Sequence, residues 1–301
     1  MAIGLVNVRE KRKMKSGWRS AAVVAGMMWA CTAGAAQKQP NVPPEYEREG
    51  GPYVPTPNVV VDQMLTLAKV GATDYVIDLG SGDGIIVLTA AHQRKSSGYG
   101  VDIDEELIRL SNLRAKSLGV SGRVLFETKD IFKTDVSKAT VVTLYLLPEF
   151  MRRLRPKLFD ELKPGTRIVS HDYHFDEWQH DDDISFDVPE KEFISGVPHA
   201  TLYLWIVPAR VEGAWRMQLD GGGEYSMMLK QRYQILEGTV ETKGRQAGLL
   251  EPKMKGTEIN FVLVQGASRG QFSGQVNGNR MEGTANFGDG RAVRWSASKG
   301  S

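Results

Sequence analysis

The chain has 301 residues, a formal net charge of +2, 41% hydrophobic and 25% charged residues, and one cysteine. That length suffices for one large and one small domain with an ordinary core. The lone Cys31 excludes a disulfide framework and a cysteine zinc site, and the small net charge gives no basis for nucleic-acid binding, which wants a clustered basic face.

At the N-terminus, "REKRKMK" and Arg19 are basic, "SAAVVAGMMWACTAGAA" is apolar and small, and "QKQPNVPPEYEREGG" is polar and proline-rich. This order is that of an export signal over residues 1–36, with cleavage after Ala35 or Ala36 and Met14 as an alternative start. The apolar stretch is too short and too rich in alanine for a membrane-spanning helix. Export predicts a periplasmic or cell-envelope location, with the cytoplasm as the alternative. Residues 37–52 read as a linker, because proline and charge prevent a packed core there.

From 53 to 208, apolar runs of strand length alternate with stretches of helical period. "NVVVDQMLTLAKV" (58–70) predicts a helix with Val60, Met64, Leu67 and Ala68 on one stripe. "YVIDL" reads as a strand, and "GIIVLTAAHQRK" as a helix opened by a glycine loop. "GYGVDI" follows as a strand, then "DEELIRLSNLRAKSLG" as a helix, acidic at its start, basic towards its end and closed by Gly119. "RVLFETKD", "TVVTLYLL" and "TRIVSHDY" are further strands, with "PEFMRRLRPKLFDELK" a helix between the last two. "ISFDVP" and "TLYLWIVPA" come last, without a long helix between them. This alternation predicts a doubly wound, mostly parallel α/β sheet covered on both faces, with a hairpin at its edge.

After Pro208 the texture changes. Residues 209–301 lack a convincing helix and are rich in glycine. "LKQRYQIL", "EINFVLV" and "AVRWSAS" alternate with the period of half-buried strands, and "VNGNR" and "FGDGR" are hairpin turns. They predict a small C-terminal antiparallel β domain, a barrel or curled sheet.

The loop "DLGSGDG" decides what is bound. A dinucleotide fingerprint needs G-x-G-x-x-G; Gly80 and Gly82 fill the first two places, but the third falls on Ile85, one residue after Gly84. No lysine followed by Ser or Thr is near, so a Walker phosphate loop fits poorly as well. S-adenosylmethionine, which has no phosphate, fits better: its amino-acid end must pass close to backbone, which glycine permits. Asp78 at the end of the first strand is placed to accept from the ligand's ammonium. Asp102 at the end of the second can take both ribose hydroxyls, and Asp130 at the end of the third the adenine amino group. The alternative is that these acids only cap the helices that follow.

Taken with "PYVPTPNVVVDQML", "GVDID", "TVVTLYLLPE", "LRPKL" and "LKPGTRIVSH", residues 53–208 resemble the seven-stranded, class I S-adenosylmethionine-dependent methyltransferases. Within that class they resemble the lysine methyltransferases that modify mitochondrial ATP synthase and adenine nucleotide translocase, and their bacterial relatives. The resemblance implies a seven-stranded sheet, S-adenosyl-L-methionine as cofactor, and a protein lysine, membrane-associated or not, as acceptor. It also implies that Asp78, Gly80, Gly82 and Asp102 hold the cofactor while residues 53–57 close over it. The full expected cofactor set is Tyr53, Thr56, Asp78, Gly80, Ser81, Gly82, Gly84, Asp102, Ile103, Asp130 and Ile131. The export-like N-terminus and the β-rich tail are not part of the family's core pattern.

Methyl transfer to lysine needs position and a neutral amine. An amine with an ordinary pKa near 10.4 costs roughly 4–5 kcal/mol to deprotonate at pH 7. An apolar, aromatic mouth lowers that cost by desolvation, and a tyrosine oxygen can orient the amine. "LYLLPE" supplies the expected catalytic residues, Tyr145 and Glu149; sheet packing for Tyr145 and a helix-dipole role for Glu149 are the alternatives. His171 as a wall of the substrate mouth is one alternative, a purely structural histidine the other, whereas Ser170, His171 and Asp172, adjacent in sequence, cannot line up as a relay. His180 with the "DDD" run matches no standard metal motif, and His92 and His199 read as structural. Alternative functions are methylation of a small molecule, or cofactor binding without turnover by a protein whose β domain docks a partner.

Overall fold

The structure, a computed structural model, describes residues 51, 53–266, 268–288 and 290–300. The expected export signal, Cys31, and all of the expected linker except Gly51 lie outside the described residues.

Chain order is α1 (Asn58–Leu67), β1 (Tyr75–Leu79), α2 (Ile85–Gln93), β2 (Ser97–Asp102), α3 (Glu105–Ser117), β3 (Val124–Thr128), β4 (Val141–Leu144), α4 (Pro148–Glu161), β5 (Arg167–His171), β6 (Asp182–Asp187), α5 (Pro189–Ser195) and β7 (His199–Ile206). The seven strands form one sheet in the order β3-β2-β1-β4-β5-β7-β6; β1 to β5 are parallel, and β7 runs antiparallel to both its neighbours. β6 and β7 make the expected edge hairpin. β1 and β4 are adjacent although two strands separate them in sequence, so the chain leaves β1 in one direction and β4 in the other. A crevice opens at such a switch point, outside the carboxyl ends of the strands.

Local chemistry explains the element ends. α1 stops at Leu67 because Lys69 turns to a φ of 51°, and its buried side is Val60, Val61, Met64 and Leu65. The expected Leu67 lies at the margin of that stripe. Asp104 caps α3, its carboxylate accepting from the N–H groups of Glu106 and Leu107 at 2.9 and 3.1 Å. β4 ends at Leu144, three residues earlier than the apolar run, so Tyr145 to Leu147 leave the sheet as a loop. α1 and α2 cover one face of the sheet around Val76, Val141 and Val169, and α4 covers the other through Met151, Leu154 and Leu158.

Beyond Pro208 come β8 (Gly213–Leu219), β9 (Glu224–Arg232), β10 (Ile235–Thr242), β11 (Arg245–Gly248), β12 (Leu250–Lys255), β13 (Glu258–Gln265), β14 (Ser268–Asn277), β15 (Arg280–Phe287) and β16 (Ala292–Lys299). β16 pairs back onto β8 and β10 pairs with both β9 and β12, so eight strands close a barrel while β11 pairs on β10 alone. Closure leaves no free edge along the ring. Trp215, Phe261, Phe272 and Trp295 fill the interior, with Phe261 and Phe272 stacked at 4.8 Å, so the barrel encloses a packed core.

"LKQRYQIL" is not one strand. The chain reverses at Tyr233 and Gln234, with Tyr233 at a φ of 55°. The turn lacks the glycine or asparagine that marks a hairpin in sequence. Its tyrosine is held by tertiary packing: the ring stacks on Trp178 at 5.1 Å and meets Phe159 edge-on at 5.1 Å. This aromatic contact joins the barrel to the sheet's α4 face, beside the Arg210–Asp160 ion pair at 2.7 Å.

Candidate active site

A cavity of about 620 Å³ lies at the switch point, within the roughly 300–1,000 Å³ of small-molecule sites. Its lining contains Tyr53, Thr56, Asp78, Gly80, Ser81, Gly82, Asp102, Ile103, Asp130, Ile131, Tyr145 and Glu149. Every expected site residue except Gly84 is therefore brought together. Gly84, at a φ of 79°, opens α2 and does not itself line the cavity, although Asp83 and Ile85 beside it do; a Cβ there would meet Ser111 Oγ at 2.8 Å and the Phe126 ring at 2.9 Å. Its glycine serves helix–sheet packing.

The loop is pinned to β2. The N–H groups of Gly80 and Ser81 donate to the Val101 carbonyl at 2.9 Å, and that of Gly82 donates to Asp102 Oδ2 at 2.9 Å. Asp102 Oδ1 accepts from the Asp104 N–H at 3.0 Å. Each carboxylate oxygen keeps accepting capacity for a ligand hydroxyl. Asp104 caps α3, not Asp102, which answers the capping alternative for that residue. Asp130 does both: it stands two residues beyond β3, and its Oδ1 accepts from the Phe132 N–H at 2.8 Å at the start of a short 3₁₀ turn (Ile131–Lys133) while it lines the cavity.

Gly80 and Gly82 adopt φ values of 82° and 50°, and side chains close on both. A Cβ on Gly80 would meet Leu146 at 2.7 Å, and one on Gly82 would meet the Tyr53 ring at 2.5 Å. Tyr53 thus lies over the loop as a strap. Its hydroxyl donates to Asp83, which Arg114 also pairs, and burial first, then the Asp83 charge, pushes the hydroxyl pKa up.

Asp78 is 2% exposed, and Thr143 Oγ1 donates to its Oδ1 at 2.7 Å. Burial is the main reason its carboxyl is pushed up to about 7, with Asp102 and Asp83 adding repulsion. A ligand cation here would offset that cost. The buried Ser81 Oγ on the same wall lacks a hydrogen-bond partner among the described residues. Six carboxylates line the cavity (Asp78, Asp83, Asp102, Asp104, Asp130 and Glu149) against one lining cation among the described residues, Arg153. That balance suits a ligand with an ammonium, a cationic sulfur, a diol and an amino group, and opposes one with phosphates. The residues present therefore fit S-adenosylmethionine.

On the far side Tyr145 and Tyr173 lie nearly parallel, their ring centroids 6.4 Å apart. Burial, then the Asp172 charge, pushes the Tyr145 hydroxyl pKa up, so it stays protonated. Glu149 sits exposed in the first turn of α4 at the cavity's edge. Of the two readings of His171, the structure bears out the structural one: it does not line the mouth. It is fully buried behind Tyr145, ring centroids 4.0 Å apart, because its position on β5 points it into the sheet's packing. Burial pulls its imidazole down to about 4, leaving it neutral.

Sequence reasoning missed Phe132, Phe150, Arg153 and Tyr173, all of which line the cavity. The Arg153 guanidinium lies 4.0 Å over the Phe132 ring. Two signals existed: Glu149, Phe150 and Arg153 share a helical face at the start of α4, and Tyr173 stands just past the carboxyl end of a parallel strand.

Comparison with known proteins finds methyltransferases. The family model of the ANTKMT methyltransferase domain matches residues 78–182. The protein-lysine N-methyltransferase of Saccharolobus islandicus (strain REY15A) is 41% identical over 157 residues, 52% of this chain and 93% of that protein. A lysine N-methyltransferase of ATP synthase from Xenopus laevis is 31% identical over 192 residues, 64% of this chain and 79% of that protein. The crystal structure of an RNA methyltransferase from Salinibacter ruber in complex with S-adenosyl-L-homocysteine is 44% identical, covering 52% of this chain and 96% of that one, with a TM-score of 0.48. On the extent of these sequence matches, the chain belongs to the protein-lysine N-methyltransferase family with the ANTKMT-type domain, and is an S-adenosylmethionine-dependent methyltransferase.

Proposed function

We propose that this enzyme methylates the ε-amine of a lysine in a protein substrate, which includes membrane-associated substrates. The observation that carries the reading is the pairing of a carboxylate-lined cofactor cleft with a tyrosine wall, Tyr145 and Tyr173, in one cavity. The names of the two lysine methyltransferase relatives support it.

In this reading Asp78 takes the cofactor's ammonium, Asp102 its ribose hydroxyls and Asp130 its adenine amino group, with Ile103 and Ile131 flanking the base. Gly80, Ser81 and Gly82 give close backbone approach, and Tyr53 and Thr56 cover the ligand. When bound, S-adenosylmethionine supplies a methyl group on a cationic sulfur, which a neutral amine takes by in-line displacement as the C–S electron pair returns to sulfur. The chain's task is then to neutralise and aim the amine. Tyr145, Tyr173 and Phe150 exclude water, which lowers the amine's pKa by desolvation. The Tyr145 oxygen accepts from the amine N–H and so directs its lone pair. Glu149, exposed at the rim, attracts the incoming ammonium before it is desolvated.

The test is incubation of the purified enzyme with deuterated-methyl S-adenosylmethionine and a cell extract, followed by peptide mass spectrometry. Label on lysine is the expected result; label confined to RNA or to small molecules overturns the reading.

We propose further that the chain is exported to the periplasm or cell envelope, supported by the basic, apolar, small-residue order of residues 1–36. Fractionation that recovers the full-length chain only in the cytoplasm overturns it.

A further inference from the structure

We propose that the β6–α5–β7 hairpin docks the segment of the protein substrate that carries the acceptor lysine, and that it selects an apolar segment flanked by basic residues. This rests on the reading that the acceptor is a protein lysine. Three observations carry it.

The first is exposure. Phe193 on α5 is 92% exposed, with Ile194 and Val197 each 39% exposed beside it. Single exposed apolar side chains need no explanation, but a cluster of three at one tip marks a contact surface. A phenylalanine standing in water is also the kind of anchor that a partner's pocket or apolar stretch buries.

The second is charge. Asp182, Asp183, Asp187, Glu190 and Glu192 are all exposed on the hairpin. Between residues 182 and 206 the one lysine or arginine is Lys191, and it is 1% exposed. The other groups that face it are Asp172, which Lys191 Nζ pairs, and the His199 carbonyl, to which it donates at 2.7 Å. Lys191 is thus spent inside, and neither Glu190 nor Glu192 has an ion-pair partner among the described residues. On a chain with a net charge of +2, the exposed charged side chains of the hairpin are acidic, the histidines near them being the exposed His199, and His180, which lies 3.2 Å from Asp183. That face attracts a basic protein segment and repels an anionic lipid surface.

The third is place. β5 ends at His171, and Asp172 turns the chain out at a φ of 62°. Its carboxylate is clamped by Lys191 and by the Thr201 N–H at 3.1 Å. The next residue, Tyr173, lines the cavity. The acidic, apolar tip is therefore fastened one residue from the tyrosine wall, at the same end of the sheet.

The experiment uses the full chain and two short peptides, each with one central lysine flanked by leucines. One adds two arginines and the other two glutamates. Wild type should show a KM for the arginine peptide about tenfold below that for the glutamate peptide, a gap that narrows with salt. The triple variant Glu190→Gln, Glu192→Gln, Phe193→Ser should raise the KM of the arginine peptide about tenfold, with kcat within about twofold and S-adenosylhomocysteine affinity unchanged. The charge reversal Glu190→Lys with Glu192→Lys should invert the preference. Unchanged affinity for S-adenosylhomocysteine also shows that each variant is folded. Equal KM values for both peptides in wild type, or variants that keep the preference, overturn the docking surface and leave the lysine reading standing. Binding of wild type to phosphatidylglycerol vesicles that Phe193→Ser abolishes also overturns it, in favour of a lipid surface. A wild type that modifies no lysine in either peptide or in a cell extract overturns the functional reading beneath it.

Discussion

Affinity for S-adenosylhomocysteine should rise about ninefold from pH 5 to 6 and about fivefold from pH 6 to 7, with Asp78 carrying the slope. Its carboxyl is pushed up to about 7, by burial first and by the charges of Asp102 and Asp83, while the Thr143 hydroxyl acts the other way. Below that pH the free protein holds Asp78 protonated, whereas a ligand ammonium needs the carboxylate. Because the group is already half protonated at pH 7, the loss from pH 7 to pH 5 is about 50-fold in Kd, or roughly 2 kcal/mol. The ligand's own ammonium, an aliphatic amine, stays largely charged across that window. Stability runs the opposite way. An acid protonated in the fold up to about 7, but ionised in the unfolded chain above 3.8, weakens the fold as pH rises between those values, by up to roughly 4 kcal/mol. Binding near pH 6 should accordingly release close to one proton, read by calorimetry in two buffers of different ionisation enthalpy. Asp78→Asn should weaken binding near pH 8 by about 1.5–3 kcal/mol and flatten the slope. A wild-type Kd that changes less than about threefold from pH 5 to 7, or an Asn variant that keeps the slope, refutes the assignment of Asp78 to the ammonium.

Gly82→Ala should weaken S-adenosylhomocysteine binding about 10- to 100-fold, because the backbone is left-handed there and the new methyl displaces the Tyr53 strap. Adding Tyr53→Ala should cost little more, and additive losses by calorimetry would show that the strap and loop do not act together. Tyr145→Phe should slow turnover about 5- to 150-fold with cofactor affinity nearly intact, the loss of one orienting hydrogen bond of roughly 1–3 kcal/mol. The rate should also climb with pH as the acceptor amine loses its proton; a flat profile with methyl transfer rate-limiting counts against lysine. Tyr233→Ala should lower unfolding stability by about 2–4 kcal/mol while cofactor affinity holds, since it removes a ring stacked on Trp178 and edge-on to Phe159. A denaturation midpoint that does not move would show that the barrel leans on the sheet elsewhere.

What the chain states locally is readable from its sequence. The glycine spacing at Gly80 and Gly82, with Ile85 where a third glycine would stand, separates this loop from a dinucleotide loop. The alternation of strand-length and helix-length periods predicts the doubly wound sheet. Asp78, Asp102 and Asp130 fall at or just beyond three strand ends and share one cavity. These readings work because side-chain period, caps and positive-φ glycines are set by neighbours a few residues apart. Other features needed the assembled chain. His171 and Tyr145 lie 26 positions apart (171 − 145), and only the β4–β5 pairing put the imidazole behind the phenol. The Tyr233 turn carries no turn residue, because its conformation is held by Trp178 and Phe159 across the molecule. Gly84 read as part of the cofactor loop, yet the rings and helix packed against it reserve its space. Lys191 is the one lysine or arginine between residues 182 and 206, and only its pairing with Asp172 across the fold shows that it is buried and absent from the hairpin's surface. Sequence determined the local rules. Which strands neighbour which, and hence which side chains meet, was decided by burial of apolar surface over long separations, and that is present only in the tertiary structure.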